Sequence, residues 1–167
     1  MHNELTEKDI ALMKQELDHR RIHLRPQLLE AVKEARAFGD LSENFEYKAA
    51  KQEKNRNESR IRFLENMIKT AVVIQDTSDE GKVGLYDKVT VYLEEDEETE
   101  VFQIVTTMRQ DVLNGRISKE SPMGKQLLGR GVGDRFYVEV NPSYGYYAVV
   151  KSIEKGTDDG SAPLNKY

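Results

Sequence analysis

The chain contains no cysteine among its 167 residues. This absence excludes disulfide bonds, thiol nucleophiles and cysteine-ligated zinc, and it suits a compartment where disulfides bring no benefit. The sequence also lacks a run of about 20 apolar residues, which a membrane-spanning helix requires. Its first residues lack the basic and then apolar order of a signal peptide. We therefore expect a cytoplasmic protein that does not contact a membrane.

The common signatures of independent enzymes are missing as well. The sequence has no glycine-rich phosphate loop, no nucleophile elbow and no Ser/His/Asp arrangement. Glu16, His19 and His23 have the one-face spacing of helical metal ligands, but no further ligand follows nearby, so an exposed helix face is the favoured interpretation. We expect no enzymatic activity of the chain by itself.

Charge is unevenly distributed along the chain, whose net charge is −5. Residues 1–75 carry 14 Lys and Arg against 13 Asp and Glu, whereas residues 76–167 carry 11 against 17. The overall acidity argues against a protein that coats DNA nonspecifically. A polyanion would have to bind the first half.

Apolar residues in the first half recur with a helical period. One series runs from Thr6 to about Phe38, and a second begins at Tyr47 with alternating steps of three and four residues. Heptad seams joined only by residues 39–42 predict an antiparallel coiled-coil hairpin. Pro26 interrupts the first helix of this hairpin. The second seam carries polar residues in its middle, namely Lys54 and Asn57.

The second half changes to the period of β-strands. Apolar and polar residues alternate in residues 89–93 and 101–105, and the acidic residues 94–100 between them predict a solvated turn. Two more strands are predicted over residues 135–140 and 146–153. The fold class is therefore α+β, with a coiled-coil hairpin followed by an antiparallel β domain.

One short helix and a tail complete the predicted domain organisation. Ser121 and Pro122 have the residue types of an N-cap and a first helical position, and Gly129 follows at the other end. We predict a coiled-coil domain over 1–75, a β domain with this one helix over 76–154, and a flexible tail over 155–167.

The turn of the hairpin contains two acids three residues apart, Asp40 and Glu43. Such a pair can cap the second helix, each carboxylate accepting from free N–H groups. It can also present two exposed carboxylates that together hold a divalent cation. We expect Leu41 and Phe45 to pack over Phe38 and to close the end of the seam.

Two ordered motifs carry a resemblance to a known family. The first is Glu34-Ala35-Arg36-x-x-Gly39-Asp40-Leu41-Ser42-Glu43-Asn44-x-Glu46-Tyr47-x-Ala49-Ala50. The second is Ile117-Ser118-x-x-Ser121-Pro122-x-Gly124-Lys125-x-Leu127-Leu128-Gly129, followed by Val132-Gly133-Asp134. Both motifs resemble the bacterial Gre transcript cleavage factors (GreA/GreB), and the resemblance covers roughly residues 6 to 154.

The resemblance implies a C-terminal domain with an FK506-binding-protein-like fold and a monomer that acts on DNA-directed RNA polymerase. The C-terminal domain would dock at the rim of the polymerase secondary channel, and the coiled coil would enter it and reach the nascent RNA. The factor would stimulate endonucleolytic cleavage of the RNA 3′ end in backtracked or arrested complexes. The family's two acids map onto Asp40 and Glu43, which would share a second Mg²⁺ with the polymerase.

Partner contacts are expected at both motifs. The resemblance assigns them to Arg36, Asn44, Tyr47, Lys51, Ser121 and Pro122. The basic residues of the hairpin are interleaved with acids, which is typical of a solvated coiled-coil surface. The alternative is a stripe that guides a phosphate backbone toward the turn.

The sequence departs from the family pattern in several places. Phe45 replaces the usual alanine, and residues 106–110, residues 141–147 and the tail beyond Lys155 are atypical. These departures leave open a paralogue that occupies the channel without promoting cleavage. The implied C-terminal fold also leaves open a prolyl isomerase or peptide-binding module.

Overall fold

The computed structural model describes residues 3–38, 44–75 and 79–166. Two compact units are present: Ile10–Ala71, and Val72–Lys166 together with the described residues up to Asp9. In chain order the elements are β1 (Glu4–Leu5), α1 (Glu7–His19), a π-helical turn (Arg20–Leu24), α2 (Arg25–Arg36), α3 (Phe45–Thr70), β2 (Val72–Val73), β3 (Lys88–Leu93), β4 (Glu98–Val105), β5 (Arg116–Ser118), α4 (Pro122–Leu127), β6 (Arg135–Asn141) and β7 (Tyr144–Glu154). No helix in these ranges is long and apolar enough to cross a membrane.

Pro26 widens one turn of the first helix without ending it. The N–H of Arg25 donates to the carbonyl of Arg20, five residues back, in the π-helical turn that precedes the proline. Proline lacks an N–H and its ring crowds the preceding turn, so a wider turn accommodates it better than a regular one. The predicted interruption of the first helix at Pro26 is therefore a π-helical turn.

The two arms of the hairpin pack through a predominantly apolar seam. Met13 and Leu17 of α1 are buried, as are Ile61 and Leu64 of α3. Residue numbers fall along one arm as they rise along the other. Asn44 is hydrogen-bonded to Ala35 at one end of the hairpin, and Arg60 is hydrogen-bonded to Glu16 further along. The predicted antiparallel coiled-coil hairpin is confirmed.

A polar cluster interrupts this seam in its middle. Asn57 is buried as the heptad pattern predicts, and its Oδ1 accepts from Arg20 at 2.8 Å. Arg60, which the sequence places on a solvated surface, is only 3% exposed. Its Nε donates to Glu16 at 2.7 Å, and Arg20 donates to the same carboxylate at 2.8 Å. Burial raises the pKa of Glu16, but the two guanidinium groups more than offset this effect and lower it.

Five strands form the sheet of the C-terminal unit, within residues 79–166, in the order β5-β4-β3-β7-β6. Neighbouring strands are antiparallel except β4 and β5, which pair in parallel. The predicted antiparallel domain is thus confirmed with one parallel pair at its edge. Strand β5 has three residues, which is too short for alternation to reveal it. Helix α4 packs against β5 and β6.

The first residues and the last residues both belong to the C-terminal unit. Strand β1 pairs in parallel with β2, and the described residues up to Asp9 belong to the C-terminal unit. The predicted division at residue 75, which assigns these residues to the coiled-coil domain, is therefore wrong for them. Residues 156–166 of the predicted flexible tail are packed against the C-terminal unit. Ala162 is buried, and the N–H of Asn165 donates to the carbonyl of Met108 at 2.7 Å.

Candidate functional site

The acids Asp40 and Glu43 lie outside the described residues, as does Leu41. Their assigned roles therefore stay predictions. The described residues on both sides, up to Phe38 and from Asn44 onward, define the end of the hairpin.

Asn44 ties the end of α2 to the beginning of α3. Its Nδ2 donates to the carbonyl of Ala35 at 2.7 Å, and its Oδ1 accepts from the N–H of Tyr47 at 3.0 Å. The second bond caps α3 and satisfies one of the free N–H groups of its first turn. Both polar groups of the side chain have partners within the chain, which indicates that Asn44 positions the helix ends.

Arg36 and Tyr47 come together beside this connection. The Arg36 Nη2 donates to the Tyr47 hydroxyl at 3.1 Å, and its guanidinium carbon lies 5.4 Å from the centre of the tyrosine ring. The hydrogen bond from Arg36, aided by the charges of Arg36, Lys51 and Lys54, lowers the pKa of Tyr47 below its usual value. The predicted residues Arg36, Tyr47 and Lys51 thus share one positively charged surface.

Two phenylalanines at this end are exposed, contrary to the expectation that they close the seam. Phe38 and Phe45 are each 79% exposed. The Nζ of Lys48 lies 5.6 Å from the centre of the Phe45 ring. The sequence draws attention to Phe45, because the family pattern has an alanine at this position. Only the structure shows that the ring is exposed.

Arginines further along the hairpin are engaged in pairs between the helices. Arg25 binds both oxygens of Glu58, at 2.7 and 2.9 Å, and Arg21 pairs with Glu65. With Arg20 and Arg60 held by Glu16, these guanidinium groups connect the two arms. The phosphate-guiding interpretation is therefore best supported near the hairpin end, at Arg36, Lys48 and Lys51.

Comparisons with known proteins match the chain in two parts, with the boundary between residues 73 and 77. A family model for the N-terminal part of transcription elongation factors matches residues 3–73, and one for the C-terminal part of GreA/GreB matches residues 77–155. The transcription elongation factor GreA of Staphylococcus aureus (strain JH9) is 40% identical over 134 residues, which covers 80% of this chain and 85% of that protein. The chain belongs to the GreA/GreB family of transcription elongation factors. Residues beyond 155 lie outside both matches.

Solved structures of a related factor are also similar to this chain. The transcription factor Gfh1 is 31% identical, with 90% of this chain and 96% of that chain covered and a TM-score of 0.44. The GreA factor homolog 1 (Gfh1) of Thermus thermophilus is 30% identical, with 91% and 98% covered and a TM-score of 0.42. The family assignment follows from the sequence matches.

Ser121 and Pro122 of this GreA/GreB chain lie in the C-terminal unit, at the beginning of α4. The Ser121 hydroxyl accepts from the N–H of Gly124 at 3.0 Å and donates to the carbonyl of Ser118 at 2.6 Å. Pro122 occupies the first turn and is exposed. Ser121 therefore has a structural role as N-cap, whereas the exposed ring of Pro122 is available to a partner.

Replacing the cap allows its structural role to be measured. Ser121→Ala is expected to lower the free energy of unfolding by about 1 kcal/mol, because the Gly124 N–H loses its acceptor. Urea denaturation followed by circular dichroism measures the change, with Ser152→Ala on an exposed strand position as control. Unchanged unfolding together with weakened binding to a partner would mean that Ser121 acts by direct contact instead.

A buried arginine organises the atypical segments of the C-terminal unit. The guanidinium of Arg109 donates to both oxygens of Asp158, each at 2.8 Å, and to Asp9 at 3.0 Å. Its Nε donates to the carbonyl of Ala162 at 2.6 Å, and the side chain is fully buried. The two departures at residues 106–110 and beyond Lys155 therefore belong to one cluster.

Two carboxylates, those of Asp9 and Asp158, contact the guanidinium of Arg109. Burial raises the pKa of Asp158, but the hydrogen bond and charge of Arg109 more than offset burial, so the pKa is lowered overall. Thr106 donates to the second oxygen of Asp9 at 2.7 Å. Burial, followed by the charge of Asp9, raises the pKa of Tyr86, whose ring centre lies 5.3 Å from the guanidinium carbon. The carboxylate of Asp158 is thus held in its charged form.

The C-terminal unit also contains a cavity of about 370 Å³ beside the tail. Charged side chains are prominent in its lining, among them Lys88, Arg116, Glu154 and Lys155. A prolyl ring is apolar and would gain little from such a surface. The cavity therefore does not favour the prolyl-isomerase alternative.

Proposed function

We propose that this protein is a transcript cleavage factor that binds RNA polymerase and inserts its hairpin into the secondary channel. There it stimulates endonucleolytic cleavage of the nascent RNA 3′ end in backtracked complexes. The observation that carries the proposal is the hairpin end, where Asn44 holds the two helices together. In the sequence, Asp40 and Glu43 lie between these two helices. Membership of the GreA/GreB family supports the same function.

The donor chemistry of Asp40 and Glu43 suits Mg²⁺, because carboxylate oxygens are the hard ligands that this ion prefers. A second Mg²⁺ at a phosphoryl-transfer site lowers the pKa of the attacking water and neutralises developing charge. The two side chains would hold this ion jointly with the polymerase and orient the water. Arg36 and Lys51 would bind the phosphates of the RNA and keep its 3′ segment in place.

We expect the free protein to bind Mg²⁺ only weakly, with a dissociation constant on the order of millimolar or higher, because two carboxylates provide too few ligands. No cluster of three or more His, Cys, Asp or Glu that could hold a metal occurs in the described ranges. Calorimetric titration measures the affinity. Tight, stoichiometric binding that Asp40→Asn abolishes would instead indicate a self-contained metalloprotein.

Incubation of the protein with a stalled, backtracked elongation complex tests the function directly. Cleavage would appear as RNA 3′ fragments that accumulate faster with the factor and only in the presence of Mg²⁺. The paralogue alternative has a different outcome: the protein would bind the complex and change its elongation rate, yet no fragments would form. A free RNA polymerase without extruded RNA serves as the binding control.

A further inference from the structure

Burial does not explain the two phenylalanines at the hairpin end. Phe38 and Phe45 are each 79% exposed, although burying such a side chain contributes roughly 1.5–3 kcal/mol. Phe38 follows Ala35 by one turn and Phe45 follows Asn44 directly, and the side chain of Asn44 is hydrogen-bonded to the carbonyl of Ala35. Both rings therefore lie where the two helix ends are tied together.

Cations lie over the aromatic rings at this end. The Nζ of Lys48 is 5.6 Å from the centre of the Phe45 ring, and the guanidinium carbon of Arg36 is 5.4 Å from that of Tyr47. The hydrogen bond from Arg36 is the main cause that lowers the pKa of Tyr47, and the nearby charges of Lys51 and Lys54 lower it further. Aromatic rings interleaved with cations are the combination with which proteins bind single-stranded nucleic acids.

A nucleotide suits this surface better than an apolar protein surface does. An apolar partner would have to remove water from Lys48 and Arg36 without giving either cation a compensating charge. A nucleotide has a flat base for the ring and a phosphate for the neighbouring cation. The charge of the surface therefore favours single-stranded RNA as its occupant.

We propose that Phe45 stacks on an unpaired base of the RNA that the polymerase extrudes during backtracking, with Lys48 next to the adjoining phosphate. The inference rests on the proposed function, because it requires the hairpin end to reach that RNA. Stacking tolerates every base but increases with ring area. Purines at the contacted position should therefore be bound more tightly than pyrimidines.

A fluorescent purine analogue near the RNA 3′ end reports stacking independently of cleavage. The backtracked complex is titrated with the Asp40→Asn factor, in which cleavage is disabled, and stacking quenches the fluorescence. We expect Asp40→Asn/Phe45→Ala to need about tenfold more factor for half-maximal quenching. Phe45→Tyr in the same background should retain the affinity of the parent.

Phe63 provides a matched control. It is another partly exposed phenylalanine of α3 with a cation over its ring, the guanidinium of Arg60 at 5.4 Å. Phe63→Ala in the Asp40→Asn background should leave the quenching curve unchanged. Equal curves for the Phe45→Ala and parent factors would overturn the proposal. So would an equal loss of affinity for a polymerase without extruded RNA, since Phe45 would then contact the protein.

Parallel cleavage assays with the wild-type factor separate this inference from the proposed function. Normal quenching without any RNA fragments would contradict the cleavage function and leave the stacking in place. If RNA fragments form but Phe45→Ala leaves the quenching unchanged, only the stacking proposal is contradicted.

Discussion

Asp40→Asn is expected to lower stimulated RNA cleavage by at least about tenfold, which corresponds to about 1.4 kcal/mol of transition-state stabilisation. Asparagine keeps the shape of the side chain but removes the charge that would hold the shared cation. Glu43→Gln should have the same effect for the same reason. Gel analysis of RNA fragments from a backtracked complex measures the rate, and a binding titration with the same complex should show unchanged affinity.

Glu46 offers a matched control for these acids. It is an exposed glutamate in the first turn of α3 and belongs to the same sequence motif. Glu46→Gln should leave both cleavage and binding close to those of the wild type. If Asp40→Asn and Glu43→Gln instead reduced binding as much as cleavage, the two acids would act mainly as helix caps.

Arg109→Met is expected to destabilise the C-terminal unit by about 3–5 kcal/mol. The substitution keeps much of the side-chain volume but leaves Asp9 fully buried and Asp158 largely buried without their countercharge. It also removes the donor to the carbonyl of Ala162, so the tail loses one of its polar contacts with the unit.

Urea denaturation followed by circular dichroism measures this loss. Arg135→Met is the control, because Arg135 also binds both oxygens of a carboxylate, that of Glu94, but does so in the solvent. Exposed pairs contribute about 0–1 kcal/mol. A change of less than about 1 kcal/mol for Arg109→Met as well would show that the buried cluster does not stabilise the unit.

The candidate site could be located in the sequence only in part. The motif around Asp40 and Glu43 identified the hairpin end, and the adjacent residues Arg36 and Tyr47 are indeed in contact there. The exposure of Phe45 could not be predicted, because apolar residues beside a turn can pack or stay in solvent with the same local pattern. The burial of Arg60 is unpredictable for a related reason: charged residues are rarely buried unless a partner from elsewhere is present.

Elements whose causes are local can be predicted from the sequence. Heptad spacing predicts the helices of the hairpin, alternation predicts β3, β6, β7 and the second part of β4, and Ser121 with Pro122 predicts the start of α4. The predicted turn over 94–100 is too long, because β4 already begins at Glu98. Three other features depend on contacts between distant segments: the packing of the tail, the parallel pairing of β5 and the burial of Arg109. Arg109 and Asp9 are 100 residues apart, and Arg109 and Asp158 are 49 apart. Periodicity and capping act over a few residues, whereas the partners of a buried charge come together only when distant segments pack against each other.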